Sequence, residues 1–225
     1  MDGRSRLVLL LLSLLIVPCT AETDVDELYT SDGGQVYLLD NTDPLYRYGT
    51  TAFARLAIPH KLIKLEDLGT ALTGDRVLIL SSYLDTPVIG ALKEKRKTMR
   101  TFLCNGGFLI VPSQFRGIDG EDVELTYHQS LPGTGDYSFL PVDVKYINSP
   151  RASHNHTLDA PLGNLAADEI ANTLYGSHGS FEGQGTILND QGQPVLLLQR
   201  FGKGGIILTT FDPDFHTVVD RADWA

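Results

Sequence analysis

Residues 76–111 read RVLILSSYLDTPVIGALKEKRKTMRTFLCNGGFLIV, and their pattern decides the fold. Arg76 to Leu80 and Phe108 to Val111 are nearly unbroken apolar runs, the composition of strands covered on both faces. Between them Asp85 or Thr86 supplies a polar cap, Pro87 occupies the first helical position, and Asn105-Gly106-Gly107 stops the helix after Cys104. Val88, Leu92, Met99 and Leu103 share one face of that helix, while Lys93, Glu94, Arg96 and Lys97 lie largely on the others. One side of the helix therefore rests on a sheet and the other is wet. A strand, a helix and a second strand imply parallel pairing through a right-handed crossover.

The same alternation extends towards both termini. Gln35 to Asp40 reads as a buried strand, Tyr46 to Leu56 as a helix, Lys61 to Leu65 as a strand and Glu66 to Leu72 as a short helix. At the other end Pro194 to Gln199 and Ile206 to Thr210 flank the turn Phe201-Gly202-Lys203-Gly204-Gly205, which predicts a hairpin at the edge or end of the sheet. Its second strand delivers Asp212-Pro213-Asp214 to a loop. From about 115 to 185 periodicity fades among Gly, Pro, Asp and Ser, with Phe139 to Ile147 a candidate strand and Leu165 to Leu174 a candidate short helix. The expected fold is an α/β three-layer sandwich: a flavodoxin-like, mostly parallel sheet with a terminal β-hairpin and an irregular insertion over one end.

A chain of 225 residues accommodates one such domain, expected over residues 22–225. The start is different in kind. Arg4 and Arg6 precede the uncharged run Leu7 to Val17, followed by Pro18, Cys19, Thr20 and Ala21, the layout of a signal peptide over residues 1–21 cleaved after Ala21. The run is too short for a permanent membrane span, which takes about 20 residues. Acylation at Cys19 is the competing reading, and Pro18 directly before it argues against a lipoprotein. The expected location is secreted or periplasmic. Cleavage removes Asp2, Arg4 and Arg6, a net of +1, and moves the formal charge from −10 to −11. Such a surface repels nucleic acid phosphates, and the cations at Lys93 to Lys97 and Arg100 read as a solvated helix face. With Cys104 the only cysteine left, no internal disulfide is available, and the thiol is expected to be buried in the core. Asn155-His156-Thr157 is a glycosylation sequon that matters only in a host that modifies it.

Three segments together carry a resemblance. Cys104-Asn105-Gly106-Gly107 runs into Phe108-Leu109-Ile110-Val111, Phe139-Leu140-Pro141-Val142-Asp143 follows, and Arg200-Phe201-Gly202-Lys203-Gly204 precedes a strand. In this order and spacing the chain resembles the class I glutamine amidotransferase-like superfamily, especially its exported branches and trehalose-utilisation-like proteins. The resemblance implies a cysteine nucleophile on a tight turn after the strand matching Phe108 to Val111, glycines two positions away on each side, and a histidine from a late His-Pro-Glu turn. Here Ser113 stands at the nucleophile position, preceded by Pro112, with Val111 and Phe115 in place of the glycines. Phe211-Asp212-Pro213-Asp214 resembles the late turn with Asp212 in place of histidine. A carboxylate of ordinary pKa near 4 is a poor base for a serine hydroxyl, so glutamine hydrolysis by the family route is not expected.

His154, His156 and Asp159 offer metal-ligating atoms without the four ligands of a structural zinc site, and Asp119, Glu121, Asp122 and Glu124 lack the spacing of a calcium loop. Both read as solvated loops, so no metal and no cofactor are expected. Gly202-Lys203-Gly204-Gly205 lacks phosphate-loop spacing and joins two strands. Gly176-Ser177-His178-Gly179-Ser180-Phe181 presents a histidine between small residues, suited to close approach by a ligand. Open α/β sheets bind ligands at the carboxyl ends of their strands. The expected rim there is Ser113, Gln114, Arg116, His178, Asp212, Asp214 and His216, holding a small polar ligand, a glycan or a partner protein without catalysis. The first alternative is a hydrolase acting on a sugar derivative or amide, with Ser113 as nucleophile, His178 or His216 as base and Asp212 or Asp214 orienting it. The second is a structural module of an envelope or surface assembly.

Overall fold

The computed structural model describes residues 36–73, 76–117, 133–147, 156–158 and 177–219. The signal segment, the candidate helix Leu165 to Leu174, the acidic loop, His154 and Asp159 lie outside them. In chain order the elements are β1 (Val36–Leu39), α1 (Tyr48–Arg55), β2 (Lys61–Leu62), α2 (Leu68–Ala71), β3 (Val77–Leu80), α3 (Thr86–Glu94), α4 (Arg96–Cys104) and β4 (Phe108–Val111). After these come β5 (Phe115–Gly117), β6 (Gly133–Gly135), β7 (Lys145–Ile147), β8 (His156–Leu158), β9 (Ser180–Glu182), β10 (Thr186–Asp190), β11 (Gln193–Phe201), β12 (Gly204–Thr209) and α5 (Pro213–Val219).

The chain forms a mixed α/β structure around one eight-stranded sheet of order β2-β1-β3-β4-β12-β11-β10-β8. The first five of these strands run parallel, and β11, β10 and β8 continue the sheet antiparallel. Alternate residues of the parallel strands feed two apolar clusters, as the twofold period of a strand requires. Leu39, Leu78, Leu80, Leu109, Val111, Ile206 and Leu208 pack with Val88, Leu92, Met99, Phe102 and Leu103 of α3 and α4. Leu38, Val77, Ile79, Ile110 and Ile207 pack with Phe53 of α1 and with Phe211. Helix α1 approaches the end of β3 closely because Gly49 has no side chain: a Cβ there would stand 2.9 Å from Ser81 Oγ.

Five expectations are corrected. The long helix is two, α3 and α4, separated at Lys95, whose N–H is shared between the carbonyls of Ala91 and Leu92. Cys104 is exposed, not buried. Met99, Phe102 and Leu103 fill the buried face of α4, and the next residue lies about 100° further round the helix, on its wet side. The hairpin exists, but β12 is interior to the sheet, hydrogen-bonded to β4 on one side and β11 on the other. Asp212-Pro213-Asp214 does not form a loop but leads into α5, with Pro213 at its first position. Of the candidate strand Phe139 to Ile147, only Lys145–Ile147 is extended, paired with β9.

Candidate functional site

The carboxyl ends of β3, β4 and β12 deliver three short segments to one place: Ser81-Ser82-Tyr83, Pro112-Ser113-Gln114 and Thr210-Phe211-Asp212. Strands in this register end level with one another, and the polar residues that follow must find partners where water is excluded. They find one another. Tyr83 N–H donates to the Ser113 carbonyl at 3.0 Å, and Ser113 N–H donates to the Phe211 carbonyl at 2.8 Å. The Gln114 side chain ties its own segment to the one after β3: its Oε1 accepts from Leu84 N–H at 3.0 Å and its Nε2 donates to the Ser81 carbonyl at 2.9 Å. Gln114 N–H in turn donates to the Tyr137 hydroxyl at 3.1 Å.

Two carboxylates sit at the centre. Asp214 accepts from Ser81 Oγ at 2.8 Å, from Ser82 N–H at 2.9 Å and from Ser82 Oγ. Burial pushes its carboxyl above the ordinary range; the serine bonds offset part of this, and the Asp40 charge adds to it. Asp212 accepts from the Tyr83 hydroxyl and faces two imidazoles: His178 Nε2 is 3.5 Å from its Oδ2 and His216 Nε2 is 3.4 Å from its Oδ1. Burial alone would raise this carboxyl, but the charges of His178 and His216 and the approach of their ring nitrogens outweigh it and hold it well below the usual carboxylate range. Asp212 is fully buried, and His178 and His216 are nearly so.

Each of these side chains is held from behind. Tyr83 adopts a positive φ of 57°, costly for a bulky residue, and its ring packs edge-on against Phe215 with centroids 5.3 Å apart. That packing aims its hydroxyl at Asp212. His216 lies one turn after Asp212 on α5, with its N–H donating to the Asp212 carbonyl at 3.2 Å. His178 is tied by its N–H to the Thr210 carbonyl at 3.1 Å and by its own carbonyl, which accepts from the Tyr146 hydroxyl. The following Gly179 has φ of 97°, and a Cβ there would stand 2.5 Å from the Ile147 carbonyl oxygen.

The expected rim is thus assembled but closed. Ser113, Gln114, His178, Asp212, Asp214 and His216 are all buried, and Arg116 lies in β5. Ser113 is not among the non-glycine residues with positive φ, so the strained turn that would expose a nucleophile is not formed there. Beneath α1 and α5, Leu38, Phe53, Ile79, Ile110, Pro213 and Asp214 line a small cavity of about 30 Å³. Sequence reasoning missed Ser81, Ser82, Tyr83 and Tyr146. The first three carried a signal, three hydroxyl-bearing residues directly after the apolar run of β3.

No family model matches the chain. The FACT complex subunit ssrp1-B of Caenorhabditis elegans is 26% identical over 139 residues, covering 60% of this chain and 20% of that protein. The chain therefore spans about a fifth of that relative's length. Among solved structures, the exo-β-1,4-mannosidase Op5Man5 from Opitutaceae bacterium strain TAV5 is similar with a TM-score of 0.41 at 10% identity, over 84% of this chain and 33% of that one. A β-galactosidase from Bacillus circulans sp. alkalophilus gives 0.41 at 12% identity, over 84% of this chain and 30% of its own. The functional reading rests on the chain's own residues.

Proposed function

We propose that the chain is an exported, non-catalytic domain of the class I glutamine amidotransferase-like kind, whose carboxyl edge binds a small polar ligand or glycan. The observation that carries this reading is Ser113: fully buried, outside the left-handed region, with its backbone N–H and carbonyl both used between β3 and β12. No substrate carbonyl reaches a hydroxyl in that position. The parallel strands, taken in chain order, stand as 2-1-3-4-5 across the sheet, the order of flavodoxin-like doubly wound folds, which supports the three-layer reading. Polar groups that keep some exposure at this edge are Thr42 and Arg47 after β1 and Asp85 before α3. They are already ordered: Thr42 N–H donates to Asp85 Oδ2 at 2.7 Å, and Arg47 Nε donates to the Asn41 carbonyl at 3.0 Å. Such a preorganised set suits the hydroxyls of a polar ligand.

Glutamate release from glutamine tests the absence of catalysis, using the purified chain and a Ser113→Cys/Asp212→His double variant. Neither should exceed background, because Val111, Pro112 and Phe115 hold any thiol at 113 away from the strained turn. Turnover by the double variant would show that only two residues, and not the turn, separate this chain from an active amidotransferase. Release by the unmodified chain would overturn the reading.

A further inference from the structure

Three groups that the sequence supplies from separate segments converge around Asp212. His178 comes from the segment before β9, Asp212 follows β12, and His216 lies on α5. One ligand atom from each lies within 4.8 Å of the others, and all three side chains are buried. Both histidines turn Nε2 towards the carboxylate, at 3.5 and 3.4 Å. Charge-assisted N–H···O bonds are shorter than this, at about 2.7–2.9 Å. The two nitrogens instead flank the carboxylate, one beside each oxygen, with the three groups close enough to share one ion. Two ligands about 2.0–2.1 Å from a tetrahedral zinc stand roughly 3.3–3.4 Å apart, the spacing of each imidazole nitrogen from the oxygen nearest it. Asp212 Oδ1 makes no well-formed hydrogen bond although fully buried, which is costly for a carboxylate oxygen unless a cation faces it.

We infer that His178, Asp212 and His216 form a binding site for a divalent transition-metal ion, zinc by its donor set, with His178 Nε2, His216 Nε2 and an Asp212 carboxylate oxygen as ligands. Two imidazoles and a carboxylate are a donor set that zinc accepts, with the fourth position left to water. The Tyr83 hydroxyl, donating to Asp212 Oδ2, orients the carboxylate as outer hydrogen bonds do at metal centres. The site ties the His178 segment to the start of α5, so the ion would fasten the antiparallel end of the chain onto the carboxyl edge. It stands whether or not that edge binds a further ligand.

The test is metal titration of the full chain after chelator dialysis, followed by calorimetry with Zn²⁺, visible absorption with Co²⁺, and Tm with and without metal. The site predicts one ion per chain, the intense visible bands of tetrahedral Co²⁺, and a higher Tm with zinc. His178→Gln and His216→Gln should each weaken binding by about 100-fold or more, and Tyr83→Phe by about 10- to 100-fold. A His154→Ala/His156→Ala variant, which removes two histidines outside the cluster, should bind as the unmodified chain does. If the site variants fail to fold, the Co²⁺ spectrum and the zinc dependence of Tm in the unmodified chain decide alone. Absence of stoichiometric binding there, octahedral Co²⁺ absorption, or binding abolished by the His154/His156 change would overturn the inference.

Discussion

Replacing Asp214 by alanine removes the acceptor of three hydrogen bonds at once, those from Ser81 Oγ, Ser82 N–H and Ser82 Oγ. The two hydroxyls can turn to other acceptors, but the Ser82 N–H is fixed by the backbone, and Ser82 is fully buried. A buried donor left without a partner costs about 1–3 kcal/mol, and breaking a buried charged network costs about 3–5 kcal/mol. The alanine side chain also enlarges the small cavity that Asp214 lines beneath α1 and α5. We therefore expect Asp214→Ala to lose about 3–5 kcal/mol. For a chain of this size that is a fall in Tm of roughly 6–20 °C, at about 2–4 °C per kcal/mol. Asp214→Asn keeps an oxygen for the Ser82 N–H and removes a charge whose burial is itself unfavourable, so it should lose about 1–2 kcal/mol at most. Urea denaturation followed by circular dichroism at neutral pH measures both. An alanine variant within about 0.5 kcal/mol of the unmodified chain, the range of an ordinary surface change, would refute the view that this carboxylate organises the end of β3.

Two further outcomes follow. Cys104 should react with a thiol reagent in the folded protein as fast as in urea, since it is exposed on the wet side of α4; slow labelling released only by denaturant would contradict that placement. Burial raises the Tyr137 hydroxyl above its ordinary value, with the neighbouring Tyr146 adding to the effect and the hydrogen bond from Gln114 N–H opposing it. A folded pKa above the unfolded one contributes stability that is complete below about pH 10 and is lost as pH rises towards the folded value. Phenolate absorbance should therefore show Tyr137 ionising together with alkaline unfolding, and a Tyr137→Phe variant should remove one phenol from that late step and none from the early one.

Much of the architecture was legible because it is written in short-range periodicity. The apolar runs at β3 and β4, the Pro87 start and the Asn105-Gly106-Gly107 stop are local, and the structure places elements within a few residues of them. What failed was non-local. Nothing in residues 204–209 announces that β12 pairs with β4, far away in the chain, so the hairpin was set at an edge and not in the middle of the sheet. Strands β10 and β8, which extend the sheet beyond it, went unrecognised for the same reason. Cys104 was misplaced by a single step of helical rotation. At the site, Ser113, Asp212, Asp214, His178 and His216 were singled out one by one as a ligand-facing rim. That they would bury one another, with α5 and the His178 segment closing over the strand ends, depends on tertiary packing that no spacing rule reports. Tyr83 shows the limit most clearly, since its backbone conformation and its bond to Asp212 are set by Phe215 on α5.

Intact-mass measurement after exposure of the purified chain to a fluorophosphonate, which phosphonylates an activated serine with loss of fluoride, tests the central claim most directly. With Ser113 buried and on an unstrained backbone, the mass should remain that of the unmodified chain after prolonged incubation. A stoichiometric adduct that disappears in Ser113→Ala would show an accessible, activated nucleophile and contradict the non-catalytic account.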